Sequence, residues 1–193
     1  MKVKEFWCGV GLRGGEFPPG HTFQAIGIDP SLTGFAVCAY NSDTDWLVHV
    51  LKPDTSGPER LDEITTHLVK FIMMNAIHAT TDHIAIEGTV RNSPSASVLG
   101  ELVGAVKLEV FRNFGTLPML NVPPMSLKKY VSGSGKAVTK SQMLLSVFKK
   151  YGAEFTDDNA ADAFGLARIA AGVATTQYEK DVLVRLDDAK FRN

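Results

Sequence analysis

The sequence predicts an α/β fold: a mixed five-stranded sheet, three antiparallel strands and then parallel ones, flanked by helices. Two observations carry this. Three short apolar runs, at 23–29, 34–40 and 46–51, follow one another across polar turns, as in an antiparallel meander. After them, strand-like runs at 82–87 and 118–122 alternate with stretches of helical period.

The elements follow in order. In the first strand Ile26 and Ile28 share one face while Gly27 and Asp29 share the other, so the isoleucines enter a core and Asp29 looks out beside a glycine. Pro30, Ser31 and Gly34 are turn residues, and the next strand covers 34–40. A short polar link, 41–45, leads to the third strand. Gly57-Pro58-Glu59 opens a helix to about residue 78, with Leu61, Ile64, Leu68 and Ile72 at helical spacing. His67 and His78 have no ligand-like partners in sequence and read as ordinary histidines. In the fourth strand, 82–87, Ile84 and Ile86 point inward and Ala85 and Glu87 point the other way. A second helix spans about 95–115, with Leu99, Leu102, Val103, Val106 and Val110 on one stripe. The fifth strand, 118–122, precedes a helix from Pro123 or Pro124 to Val131, then the glycine-rich loop Ser132-Gly133-Ser134-Gly135-Lys136. Thr139 caps a helix to Tyr151, and Asp157 or Asp158 caps the last core helix, to about Val173. Residues 1–22, rich in Gly and Pro, read as an N-terminal arm, 23–174 as the domain, and 175–193 as a frayed helix or tail.

Composition narrows the class. With 45% apolar and 21% charged residues the chain is globular, and no apolar run nears the roughly 18 residues of a membrane span. The start lacks a long apolar h-region, so a cytoplasmic location is expected. Cys8 and Cys38 are too far apart for paired zinc or disulfide spacing, and Cys38 reads as core. A net charge of −1 argues weakly against nucleic acid, yet its distribution does not. Between Val110 and Ala153 there is no acidic residue, while Arg112, Lys128, Lys129, Lys136, Lys140, Lys149 and Lys150 all fall there. Such a one-signed surface draws a polyanion, although a solvated helix face would also carry lysines.

Asp162 is the oddest residue, standing in Ala160-Ala161-Asp162-Ala163-Phe164-Gly165-Leu166-Ala167, a stretch suited to lying flat on a sheet. A carboxylate buried there is costly without a positive partner. Asp158 and Asn159 precede it by four and three residues, on the same helix face. Each acid alone is compatible with a local cap or turn. Together, Asp29, Glu87 and Asp162 offer only oxygen donors, which suits Mg²⁺, with Mn²⁺ as substitute. Two such ions roughly 4 Å apart support phosphodiester hydrolysis. No Ser/His/Asp or Cys/His arrangement is visible. The glycine-lysine loop fails as a P-loop, because Tyr130 stands where its first glycine belongs and Ala137 follows Lys136. Phosphate contacts from Lys128, Lys129, Lys136 and Lys140 fit it better, with no nucleotide cofactor.

Four segments resemble, in content and order, the RuvC-like Holliday junction resolvases of the RNase H-like (retroviral integrase) superfamily. They are IGIDPSLTGFAV (26–37), IAIEGTVRNSPSASVLGELVGAV (84–106), VPPMSLKKYVSGSGKAVTKSQM (122–143) and DDNAADAFGLA (157–167). The resemblance implies an RNase H-like fold and a Mg²⁺-dependent crossover junction endonuclease that, as a homodimer, nicks two opposed strands of four-way branched DNA. It implies Asp29, Glu87 and Asp162 as metal ligands, and Lys128, Lys136 and Lys140 as DNA contacts. Family members usually carry Asp or His three residues before the final aspartate. Here that place is Asn159, so the fourth ligand is either Asn159 or the neighbouring Asp158. Where bacterial members place an aromatic wedge stands Val90, with Arg91 and Asn92 as substitutes for DNA contact. These departures, with the N-terminal arm, point to a phage or divergent member. The alternatives are a broader branched-DNA or flap nuclease and a non-catalytic junction-binding module. An actin-like ATPase needs a second domain, for which 193 residues leave little room.

Overall fold

Alternation along β1 (Ala25–Asp29) divides the molecule into two cores. Ile26 and Ile28 sit in one with Val37, Ala39, Ile84 and Ile86; Ala25, Ala36, Cys38 and Ala85 sit in the other. The computed structural model describes residues 22–75, 84–89, 96–115, 119–135 and 138–188. After β1 come β2 (Phe35–Ser42), β3 (Asp45–Leu51), α1 (Gly57–Met74), β4 (Ile84–Glu87), α2 (Ala96–Phe114) and β5 (Met119–Val122). Then follow α3 (Pro124–Ser132), α4 (Lys140–Tyr151), α5 (Asp158–Ala170) and α6 (Gln177–Leu186).

The sheet order is β3-β2-β1-β4-β5. β1, β2 and β3 pair antiparallel, whereas β4 pairs parallel to β1 and to β5. This is the mixed sheet the sequence predicts. One face is covered by α1 and α2 through Ile64, Leu68, Phe71, Leu102, Val106 and Val110. The other is covered by α5, with α3, α4 and α6 packed around it. Gly27 explains how α5 lies so close to the sheet: a Cβ there would sit 2.1 Å from the Ala163 carbonyl oxygen. Among the described residues no helix is long and apolar enough to cross a membrane.

Element limits shift slightly from the sequence prediction. β2 runs on to Ser42 and β3 starts at Asp45, because Ser42 pairs with Asp45 across a two-residue turn with a register shift at Tyr40/Ser42. α5 ends at Ala170, before Gly172 at φ +67°. Asp157 is the α5 N-cap, its side chain accepting from the Asn159 N–H at 3.0 Å. Thr139 caps α4 in a full capping box. His78 and Val90 lie outside the described residues, as do residues 1–21 of the expected arm.

The largest difference lies at the C-terminal end. Where the sequence suggests a frayed helix or tail, Gln177–Leu186 forms a helix docked on the core through Val182 and Leu186. A polar cluster fastens it. Glu179, fully buried, accepts hydrogen bonds from the Tyr151 hydroxyl at 2.7 Å and from Thr175 and Thr176, and pairs with Lys150 at 2.9 Å. Lys150 also donates to the carbonyls of Tyr130 and Val131 at the end of α3. It is therefore a clamp among three helices rather than one of the outward-facing lysines expected from the basic stretch. Nearby, the fully buried Arg168 pairs with Asp43, donates to the Tyr40 hydroxyl at 3.0 Å and stacks 3.8 Å from the Tyr151 ring. This fixes the β2–β3 hairpin to α5.

Burial pushes the Glu179 carboxyl up, but hydrogen bonds from Tyr151, Lys150 and the Thr175–Thr176 corner outweigh it and hold it well below its usual range. A carboxylate lowered in the fold stabilises above its unfolded pKa, and that contribution is lost as pH falls through the folded value. Glu179→Ala should therefore cost about 3 kcal/mol or more at pH 7, since it takes the counter-charge from Lys150 and the acceptor from the buried Tyr151 hydroxyl. The deficit should shrink in acid below the ordinary carboxylate range. Denaturant melts at pH 7 and pH 3 measure both.

Candidate active site

The parallel strands carry acids to one edge of the sheet. Ile28 pairs with Ile86, and one residue further Asp29 and Glu87 end β1 and β4. Adjacent strands lie about 5 Å apart, so these two acids are neighbours. Both belong to the α5 face by alternation with Ile28 and Ile86. α5 passes over Gly27 at Ala163 and Ala167, which brings Asp162, one residue before Ala163, to the same place. Asp158 lies one helical turn earlier.

The electrostatics show how close these charges are. Burial raises the Asp29 carboxyl well above its usual range, and the charges of Glu87, Asp162, Asp158 and Asp157 raise it further. Burial lifts Asp162 to about 7, with Glu87 and Asp158 adding to the rise while Lys128 and Lys140 oppose it. Burial likewise lifts Glu87 to about 7, opposed by Lys128. Burial is the largest cause at all three acids, and like charges beside Asp29 and Asp162 add to it. Their side chains remain apart: among the described residues, no three His, Cys, Asp or Glu side chains are already gathered as an ion-holding group.

Two observations test whether a hard divalent cation fits. Asp162 Oδ1 is buried with no hydrogen-bond partner, an acceptor left for something else. The donor set is all oxygen, and a 2+ charge would favour the ionised carboxylates that burial, and at Asp29 and Asp162 repulsion, disfavours. The donor chemistry suits such an ion, which Asp29, Glu87, Asp162 and Asp158 could hold.

Asp158 and Asn159 part company here. A Cβ on Gly34 would lie 2.5 Å from Asn159 Nδ2, so the amide packs against the β1–β2 turn. Asp158, by contrast, adds charge to both Asp29 and Asp162 and pairs with Lys140 Nζ at 2.5 Å. Asp157 pairs with Lys52 at 3.4 Å, a contact between α5 and the segment after β3 that sequence order hides. Lys128 and Lys129 are half-buried on α3, and Lys128 is the one whose charge reaches Glu87 and Asp162. Arg91, Asn92 and Lys136 lie outside the described residues. A His49–His67 pair, 3.0 Å apart between β3 and α1, was also hidden in sequence, since its partners sit on different elements.

An α/β protein whose parallel strands β1 and β4 each end in an acid, Asp29 and Glu87, beneath an acid-bearing helix is the class that the fold defines. No protein-family model matches the sequence, and no curated protein matches it. Solved structures do. Thermus thermophilus RuvC in complex with Holliday junction substrate aligns at TM-score 0.57 and 23% identity, over 74% of this chain and 89% of that one. A second T. thermophilus RuvC structure aligns at TM-score 0.57 and 22% identity, over 84% and 96%. The yeast mitochondrial Holliday junction resolvase Ydc2 is more distant, at TM-score 0.47 and 14% identity over 90% and 86%. The chain has the RuvC-like form of the RNase H-like fold.

Proposed function

We propose that the chain is a structure-selective DNA endonuclease that resolves four-way junctions by metal-dependent phosphodiester hydrolysis. The observation that carries this is Asp162 Oδ1, buried and unpartnered on α5, the helix that lies over β1 and β4, whose last residues are Asp29 and Glu87. Asp29, Glu87 and Asp162 would hold Mg²⁺ or Mn²⁺, which would supply Lewis-acid activation of water and charge toward the departing 3′ oxygen. Asp29 is the most enclosed donor, at 5% exposed, and fixes the floor of the site. Glu87 and Asp162, whose carboxyls burial pushes up to about 7, would hold the ion in their ionised form. Lys128 offers its charge beside Glu87 and Asp162, where a scissile phosphate would lie. Lys129 on α3, Lys140 on α4, and Arg91, Asn92 and Lys136 on the adjoining segments hold the DNA backbone. T. thermophilus RuvC, which shares this fold, was solved on a Holliday junction substrate, and that supports branched DNA as the ligand here. A homodimer suits a substrate with two equivalent cuts.

Asp158 is the better fourth donor on this reading. Asp158→Ala should slow single-turnover cleavage by about tenfold or more, and Asn159→Ala should act less, through the β1–β2 turn. Equal mild effects would make it a three-acid site. The function itself is tested by incubating synthetic four-way, three-way and flap DNAs with the full chain and Mg²⁺, then mapping nicks on every strand. Paired symmetric nicks in the four-way junction are expected. Equal cutting of all three substrates would assign a general branched-DNA nuclease, and binding without cutting a non-catalytic module.

A further inference from the structure

Lys140 opens α4, where a cation meets the positive end of the helix dipole. The first turn of α4 holds no acid, and the helix end is already served by the Thr139–Gln142 capping box. The answering charge comes from another helix, Asp158 at the start of α5, at 2.5 Å. The side chain of Lys140 is 79% exposed and that of Asp158 is 26% exposed. An exposed pair of this kind adds little to stability. Its distinction is its place: the lysine sits on a partly exposed carboxylate whose charge reaches the buried Asp29 and also Asp162.

We propose that Lys140 is a positioning residue that occupies Asp158 in place of a divalent cation and passes to a DNA phosphate when the cation arrives. This rests on the metal-site reading above. An ion held by Asp29, Asp158 and Asp162 takes up the negative charge that holds the ammonium, and adds repulsion of its own. The freed ammonium has three donors on a flexible stem, and the nearest large anion is then the DNA backbone. In the other direction, a phosphate that draws Lys140 away bares Asp158 and raises the attraction of the cluster for a cation. The two affinities are therefore coupled by the same factor in both directions. Lys128 makes the contrast, because its charge reaches Glu87 and Asp162 without resting on Asp158.

The test is a calorimetric titration of Mn²⁺ into the full chain at pH 8 without DNA, for wild type, Lys140→Met, Lys128→Met and Asp162→Asn. Alongside it, binding of a four-way junction is compared in EDTA and in Ca²⁺. Lys140→Met should bind Mn²⁺ about fivefold or more tightly than wild type, the scale of a modest coupling. Its deficit in junction binding should be larger in Ca²⁺ than in EDTA. Unchanged Mn²⁺ affinity in Lys140→Met, an equal gain in Lys128→Met, or a deficit independent of Ca²⁺ would overturn the exchange. Wild type that takes up no Mn²⁺, or Asp162→Asn that takes it up undiminished, would instead overturn the metal site beneath it.

Discussion

Asp162→Asn should abolish metal-dependent cleavage of a four-way junction and, at the same time, make the metal-free protein more stable. Both effects follow from one placement. Asp162 lies among alanines on the face of α5 that meets the sheet, with one oxygen buried and unpartnered and with Glu87 and Asp158 nearby. Its pKa is raised from 3.8 to about 7. The folded protein thus binds the Asp162 proton more tightly than the unfolded chain does. Between pH 4 and 7 the native state holds more protons, so stability falls as pH rises, and the cost is complete above pH 7. Asparagine removes the charge and the cost with it. The expected gain at pH 8 is on the order of 2 kcal/mol, a rise of several degrees in melting temperature, shrinking toward nothing near pH 4. Junction binding should survive, since the lysines are untouched. A variant that still cuts, or that melts like wild type at both pH values, counts against the site.

Gly27→Ala is the second large effect, and here the fold gives way. The added Cβ would meet the Ala163 carbonyl oxygen at 2.1 Å, the Ala167 nitrogen at 2.3 Å and the Ala167 Cα at 2.9 Å, all backbone. No side chain can swing aside, so α5 must lift from β1. Overpacking commonly costs about 1–3 kcal/mol where side chains can adjust, and backbone against backbone lies at or beyond the upper end. Lifting α5 also withdraws Asp162 and Asp158 from Asp29 and Glu87, so any folded fraction should have lost cleavage. Gly165→Ala is the control: its Cβ would meet only the tips of Leu127 and Val131, at 2.9 Å each, which can turn away. Gly165→Ala should be clearly milder in a denaturant melt. Equal losses in the two variants would mean that close approach at Gly27 does not hold the site together.

The contrast between these glycines and the C-terminal helix shows what the sequence can display. A strand has period two, so Ile26-Gly27-Ile28-Asp29 states in four letters which residues face α5, and Ala160–Ala170 states as plainly what lies over them. The elements that carry Asp29, Glu87 and Asp162 were legible for the same reason, since each acid interrupts an apolar run of strand or helix period. α6 was not legible, because Glu179, Thr175, Thr176, Tyr151 and Lys150 hold it by polar contacts, and these have no period. The partners of Arg168, Asp43 and Tyr40, lie more than a hundred residues away, beyond the reach of any local pattern. Lys150 belongs to the basic stretch by charge alone, yet it turns inward. Charge runs locate a basic segment, and only packing decides which of its members face the solvent.

The most direct test of the central idea is uptake of Mn²⁺ by the intact chain at pH 8, followed by the paramagnetic resonance signal of the ion left free. If Asp29, Glu87 and Asp162 form one site, wild type should withdraw Mn²⁺ from solution, and Asp29→Asn, Glu87→Gln and Asp162→Asn should each leave it there. Undiminished uptake by all three variants would contradict the account.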